Sequence, residues 1–369
     1  MKRIIFHHPL PLDPNAKSAS GIRPVQMLNA FQSLGYQVDL VTGYSKQRKA
    51  SIKTIKENID KGIKYSFVYS ESSTMPTVLT DTHHLPIRPF IDFNFFRLCK
   101  KQGIAIGLFY RDIYWAFDGY GEGLNFLKVW FAKHCYHYDL INYKKYLTKL
   151  YLPSLEMCKY VPVVDQQIMS ALPPGHLEDN PLKAKKTVAS SETLDIFYVG
   201  GVGAHYNMQL LVQVVAVMPE ITLTICTREE EWQSVKHKYP KLTENIMVVH
   251  LTGEKMKQHM LNADIVSIFV EPKKYWEFAA PVKLYEYLGS LKPILASKGT
   301  LAANFIEQNK AGWTVSYDAE ELTNFLSYLT NNKNELLNVS EHIATISNEH
   351  SWLARAQQVA KDLSKGPVL

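Results

Sequence analysis

The chain has only four cysteines, Cys99, Cys135, Cys158 and Cys226, and no two stand close enough in sequence to suggest a zinc site or a redox pair. Nothing points to a secretory context, so no disulfide framework is expected and a reducing cytoplasm is the expected compartment. No stretch approaches the roughly 18 apolar residues of a membrane span. The N-terminus, MKRIIFHHPLPLD, starts basic, but its apolar run breaks after Phe6, too early for a signal peptide. There is no low-complexity tract and no repeat between the halves. No D-x-D stands at a strand end, and the histidine pairs at 7–8 and 83–84 are adjacent rather than spaced for ligation, so no metal and no other cofactor is expected.

What is present describes a folded protein: 46% hydrophobic and 21% charged residues over 369 positions, long enough for about two domains. The net charge of +6 is unevenly placed. Up to Leu172 there are 22 Lys and Arg against 13 Asp and Glu, about +9; beyond it, 19 against 22, about −3. A basic half suits an anionic partner, whether nucleic acid, membrane surface or substrate, and charge does not choose among them.

The order of elements predicts an α/β fold. RIIFHHP reads as a strand, GIRPVQMLNAFQSLG as a helix closed by Gly35, and YQVDLVTG as a second strand, the βαβ opening of a parallel sheet. Strands are predicted at YSFVYS and GIAIGLFY, with helices near 50–61 and 92–102. ALPPGHLEDNPLKAKKTVASSET lacks periodicity and reads as a linker. The same grammar then restarts: LDIFYVGGVG, ITLTICT, NIMVVHLT and ADIVSIFV as strands, NMQLLVQVVAVM as a helix, and KLYEYLGS with KPILAS as a closing helix and strand. HSWLARAQQVAKDL has a helical apolar stripe that must pack on something.

Three features carry candidate chemistry in the second half. The turn YVGGVGAHYN lies between a strand and a helix, where Gly200, Gly201 and Gly203 would let backbone amides approach an anion. A tight turn without a ligand explains the same glycines. Arg228 follows ITLTIC at a strand's C-terminal end, where open α/β sheets bind ligands, or it is an exposed arginine beside Glu229–Glu231. Lys283 and Glu286 share one face of a short helix that begins at Pro281 and is apolar elsewhere. They are either a weak surface pair or an ammonium for a diphosphate and a carboxylate for ribose hydroxyls.

PVKLYEYLGSLKPILAS resembles the donor-site signature of GT-B glycosyltransferases, and among them glycosyltransferase family 4. FYVGGVGAHYN is similar to the first strand and loop of their donor domain; NADIVSIFVEP, and HSWLARAQQV as the terminal crossover helix, continue the likeness in order over roughly residues 190–365. LPPG sits where such enzymes leave the first domain, over which the likeness is architectural only. The resemblance implies two Rossmann-like domains facing a cleft: residues 1–172 for the acceptor, a linker at 173–192, residues 193–348 for the nucleotide sugar, and a crossover helix and tail at 349–369. It implies transfer of a sugar from a nucleoside diphosphate, UDP foremost, to a glycan hydroxyl, without a metal, in surface polysaccharide or lipid-linked glycan assembly. The alternatives are a non-catalytic partner of another transferase and a nucleotide-sugar epimerase.

By position, the resemblance puts Gly200, Gly201, Gly203 and Pro281 near the donor, Lys283 on its diphosphate and Glu286 on its ribose, with Arg228, His250 and Thr252 of HLTGE near phosphate or base. The family's glutamate eight positions before Glu286 is Phe278 here, with Glu277 one residue off.

In the first half, GLFYRDIYWAFDGY runs from a strand into Arg111 and Asp112. Asp112 suits a general base for a sugar hydroxyl, or a cap of the next turn, or a partner for Arg111. His83 and Arg88 suit an acceptor phosphate, and Ser20 and Gly21 in NAKSASGIRP suit the sugar or the donor phosphate; solvated loop residues explain all four equally. FLKVWFAKHCYHYDLINYKKYLTKLYLPS mixes seven basic or histidine residues with Trp130, Phe131 and five tyrosines, which suits either an anionic membrane surface or buried aromatics under a solvated basic face. No nucleic-acid-binding module is evident.

Overall fold

The computed structural model describes residues 2–16, 18–117, 119–178, 193–203 and 206–364. The chain forms two compact units, Met1–Pro174 with Trp352–Leu369, and Gly175–Ser351. Most of the expected linker, from residue 179 to 192, lies outside the described residues, as do Asp118 and His205.

Unit one is built on β1 (Arg3–His8), β2 (Gln37–Thr42), β3 (Phe67–Glu71), β4 (Ala105–Phe109), β5 (Lys149–Leu152) and β6 (Met169–Ala171), in the order β2-β1-β3-β4-β5-β6. Every pairing is parallel. Helices cover a parallel sheet, so its inner strands are buried on both sides and read as apolar runs; β3 and β4 have no exposed residue. The last helix, Trp352–Ser364, belongs to this unit. Its stripe of Trp352, Ala356, Val359 and Leu363 is buried with Phe31, Phe109 and Tyr151. Gly107 on β4 admits it, because a Cβ there would stand 2.7 Å from Leu363 Cδ1.

Unit two carries β7 (Leu194–Val199), β8 (Ile221–Cys226), β9 (Ile246–Val249), β10 (Ile265–Ile268), β11 (Ile294–Ser297) and β12 (Gly312–Val315). Their order is β12-β11-β10-β7-β8-β9, again wholly parallel. This is the doubly wound order in which strand succession reverses between the first and fourth strands, here β7 and β10. Unit one reverses between β1 and β3. At such a reversal the connections leave in opposite directions, which opens a crevice beyond the strands' C-terminal ends. Each unit therefore offers one topologically defined place for a ligand.

Candidate functional site

At the reversal in unit two, β7 runs into the glycine turn and the helix Val282–Gly289 lies across the ends of β7 and β10. Tyr287 fastens it there: its hydroxyl accepts the Val199 N–H at 3.1 Å and reaches the Ser267 carbonyl at 3.4 Å. Pro281 is the N-cap, and Leu284, Tyr285, Tyr287 and Leu288 are buried. Lys283 and Glu286 occupy what remains, and no ion pair joins them. Lys283 Nζ instead donates to the Tyr198 hydroxyl at 2.9 Å and lies 4.2 and 4.6 Å from the ring centroids of Tyr198 and Tyr206. Tyr198 in turn donates to the Gly201 carbonyl at 2.5 Å. Two aromatic faces stabilise an ammonium only modestly. Burial pushes Lys283 down to about 7, against the opposing pull of Glu286 and Glu231.

The glycines have a role that the sequence did not reveal. A Cβ on residue 200 would stand 2.7 Å from Lys283 Nζ, and the backbone there has φ +148°, so only glycine admits the ammonium comfortably. A Cβ on residue 201 would stand 2.8 Å from Glu231 Oε1. That oxygen accepts the N–H groups of Val202 at 2.9 Å and Gly203 at 3.2 Å. The amides expected to await an external anion already hold one of the chain's own. Glu231, from the first turn of the helix Glu229–Val235, reaches back across the turn to do this.

Glu286 is exposed, yet enough protein surrounds its carboxyl to raise its pKa, with Lys283 opposing the rise. The other candidates line the same strand ends. Arg228 is the exposed N-cap of Glu229–Val235. His250 is exposed, and its Nδ1 lies 2.8 Å from the Thr227 carbonyl, which makes Nδ1 the protonated nitrogen. Thr252 is the exposed N-cap of the helix Gly253–Asn262. A hollow of about 950 Å³ in this unit, between Pro219 and Asn245, lies at the opposite, N-terminal ends of β8 and β9, away from these groups.

Unit one centres on a residue that sequence reading missed. Glu71, the last residue of β3, is wholly buried, 3.2 Å from Arg23 Nε and 3.2 Å from Arg111 Nη2, and it accepts the Tyr69 hydroxyl at 2.8 Å. His8 Nδ1 lies 3.0 Å from the Glu71 carbonyl. Burial holds His8 down to about 3, so its ring is neutral. Two guanidinium groups share the Glu71 carboxylate at this reversal, and Asp112 lies near enough to act on the charge of Arg111. Arg111 nonetheless pairs with Glu71 and not with Asp112. Asp112 accepts the Tyr114 N–H at 2.8 Å as the cap of a short turn, and burial raises its pKa.

Ser20 and Gly21 lie in the first turn of the helix Ala19–Ser33 rather than in the loop before it. Gly21 is required by packing, since its Cβ would stand 2.5 Å from that of Ala16. Arg88 donates to Ser45 Oγ at 3.1 Å, and His83 lies 3.8 Å from Asp81, which itself holds the Ser45 N–H at 2.7 Å. His83 and Arg88 are therefore together, around Asp81 at the start of the helix Ser45–Asp60, and apart from Glu71 and its arginines in sequence and partners. Among the described residues no three His, Cys, Asp or Glu side chains converge as metal ligands would.

No family model matches the sequence, and no curated protein matches it. Solved structures do. A structure of Anabaena HepE in complex with UDP-glucose superposes with a TM-score of 0.64 at 11% identity, over 99% of this chain and 100% of that one. Sucrose-phosphate synthase from Thermosynechococcus elongatus gives 0.64 at 13% identity, over 98% of each chain. WaaG, a glycosyltransferase involved in lipopolysaccharide biosynthesis, gives 0.58 at 14%, over 98% and 100%. The chain has the GT-B fold.

Where the sequence departs from the pattern of GT-B donor sites, the side chain is core. Phe278 is buried, its ring 5.3 Å from that of Tyr275, while Glu277 beside it is exposed. Glu71 and Glu231 escaped sequence reading because neither stands in a local motif. Each becomes notable through partners 28 to 48 positions away.

Proposed function

We propose that this GT-B chain is a glycosyltransferase that moves a sugar from a nucleoside diphosphate, UDP foremost, to a hydroxyl of a glycan, within surface polysaccharide or lipid-linked glycan assembly at the inner face of the cell membrane. The observation that carries the reading is Lys283: an ammonium seated at the β7/β10 reversal by Gly200, facing two phenol rings and no bonded carboxylate. A half-buried cation without a full counterion suits a ligand that brings its own negative charge. The neighbours' bound UDP and UDP-glucose support a nucleotide sugar as that ligand.

In this reading Lys283 stabilises the charge that develops on the departing diphosphate, where a preorganised cation is most effective. That charge comes from the protein, and we propose that transfer needs no metal. Glu286, one turn further along the helix and exposed, accepts from ribose hydroxyls. Asp112 is the candidate base if the anomeric centre inverts, its raised pKa bringing it nearer to neutrality. If the centre is retained, the leaving phosphate assists and Asp112 serves only as the turn cap.

Calorimetric titration with UDP and GDP, followed by transfer assays on a panel of nucleotide sugars, tests the proposal. Binding of one nucleotide and its loss in Lys283→Met is expected. Full transfer by a folded Lys283→Met protein would refute the assignment. No binding of any nucleotide would favour a non-catalytic partner role, which the buried Phe278 in place of a donor-binding carboxylate supports. Conversion of the donor without acceptor would mark an epimerase.

A further inference from the structure

Large apolar side chains exposed to water are concentrated in one part of unit one. Of the eighteen among the described residues, nine fall in two short segments, 82–90 and 124–141. Phe126 is 75% exposed and Leu127 68%, with Trp130 following one turn on; Leu85, Ile87 and Phe90 are each more than half exposed. The helix Phe126–Tyr146 explains how this arises. Its inward face, Cys135, Tyr136, Asp139, Leu140 and Tyr143, is buried as in any helix on a sheet. Its N-terminal half is apolar on the outward face too, so the helix lacks the usual polar side. Trp130 is held outward by His134, whose ring lies 4.0 Å from its own. The segment 82–90 adjoins the same helix, since Tyr138 donates to the Pro89 carbonyl at 3.3 Å and packs 5.3 Å from Phe93.

Exposed apolar surface of this density marks an interaction site. The charge around it identifies the partner. Residues 124–146 hold a single carboxylate, Asp139, which is buried and accepts the Thr77 N–H at 2.7 Å. Asp92, just after the other segment, is buried beneath Arg48, with two hydrogen bonds of 2.7 and 2.9 Å. Neither segment therefore shows a carboxylate to solvent, whereas Arg88, Lys128 and Lys145 are exposed. Lys144 is exposed as well but paired with Asp165 at 3.3 Å. Aromatic side chains among cations, with the exposed carboxylates Glu122 and Asp165 only at the margins, match the boundary of an anionic lipid layer: rings at headgroup depth, ammonium groups on phosphates. A protein partner would require apolar complementarity but not this excess of positive charge. No described helix is long and apolar enough to cross a bilayer, so contact would be from one side.

We propose that this face of unit one docks on an anionic lipid bilayer, with Phe126, Leu127 and Trp130 inserted at the headgroup boundary and Lys128 and Arg88 on lipid phosphates. That the docking serves a lipid-linked acceptor rests on the transferase reading; the docking itself does not. Flotation of the full chain, without nucleotide, on phosphatidylcholine vesicles and on vesicles also containing phosphatidylglycerol tests it. Binding to the anionic vesicles alone is expected, weakened at about 1 M salt, where the Debye length falls to about 3 Å. Lys128→Ala with Arg88→Ala should weaken it by about fivefold per charge. Phe126→Ser with Trp130→Ser should abolish insertion, read by quenching with brominated lipid, and leave the urea midpoint unchanged because both side chains are solvated. Equal binding to neutral vesicles, no binding to either, or indifference to both double variants would overturn the proposal. So would a dimer in light scattering that the Phe126→Ser, Trp130→Ser protein loses, since a second copy would then cover the face. UDP titration of the same samples reads the transferase proposal separately: nucleotide binding without vesicle binding sinks only the docking, and the converse sinks only the transferase.

Discussion

Lys283 should make nucleotide affinity fall with rising pH above neutrality. In the free protein burial holds its ammonium near 7, with Tyr198, Tyr206, Glu231 and Glu286 as the surrounding titratable groups. A diphosphate beside it favours the charged form and moves the pKa back toward the ordinary lysine range. Below pH 7 Lys283 is charged whether or not nucleotide is bound, and only the second ionisation of the terminal phosphate, at about pH 6, still changes affinity. Above it, binding must take up a proton, so affinity drops about tenfold, or ~1.4 kcal/mol, per pH unit. Between pH 7 and pH 9 the expected loss is about 50-fold, since half of the ammonium is already lost at pH 7. Calorimetry with UDP in two buffers of different ionisation enthalpy measures both quantities, and uptake should approach one proton near pH 9.

The stability of the free protein should move the other way. A lysine in the unfolded chain titrates near 10.4, so between about pH 7 and 10 the unfolded state holds more protons and folding is favoured as pH rises. Lys292, pushed down to about 8 by burial, adds to that slope. The informative quantity is therefore the difference between wild type and Lys283→Met. An affinity that stays flat from pH 7 to 9, or a variant that keeps the wild-type slope, would refute the reasoning.

Glu231→Gln keeps an oxygen acceptor for the Val202 and Gly203 amides while removing the charge, so UDP affinity at pH 6 should rise about fivefold, the ~1 kcal/mol scale of a solvated like-charge repulsion. Weaker binding would make Glu231 a brace for the turn and not a competitor for phosphate. Glu71→Gln leaves Arg23 and Arg111 without their carboxylate and should destabilise unit one by about 3–5 kcal/mol in urea unfolding; a loss below about 1 kcal/mol would show the arginines find other partners. Asp92 is held down to about 2 by His7 and Arg48, which outweigh its burial, so its contribution to stability should be intact above about pH 4 and vanish as pH falls through 2. Thermal unfolding of Asp92→Asn, expected to lack that acid-range loss, checks it.

The parallel strands were legible because burial on both faces leaves a compact apolar run, as in FVYSE and AIGLF. The helix after Pro281 was legible because its apolar positions recur at helical spacing around two charges. The first helix was legible to within two residues of its start, GIRPVQMLNAFQSLG against the observed Ala19–Ser33. Gly21 and Pro24 fit its first turns, where backbone N–H groups have few partners to lose. Asp112 was legible as a polar residue at a strand end, but the choice among its partners depended on where Glu71 lay.

Local pattern in the sequence thus determined the α/β class, the two successive sheets, the glycine turn and the placing of Lys283 and Glu286 on one helical face. These depend on spacings of a few residues, which one window of sequence displays. Only the tertiary structure decided the partners of the charges: Glu231 on the glycine turn, Tyr198 and Tyr206 under Lys283, Arg23 and Arg111 on Glu71, and the excess of positive charge beside Trp130. A charge acts through space over a few ångströms, and the chain brings such neighbours together from positions 28 to 85 residues apart. The pairing is written in the strand order of the folded units.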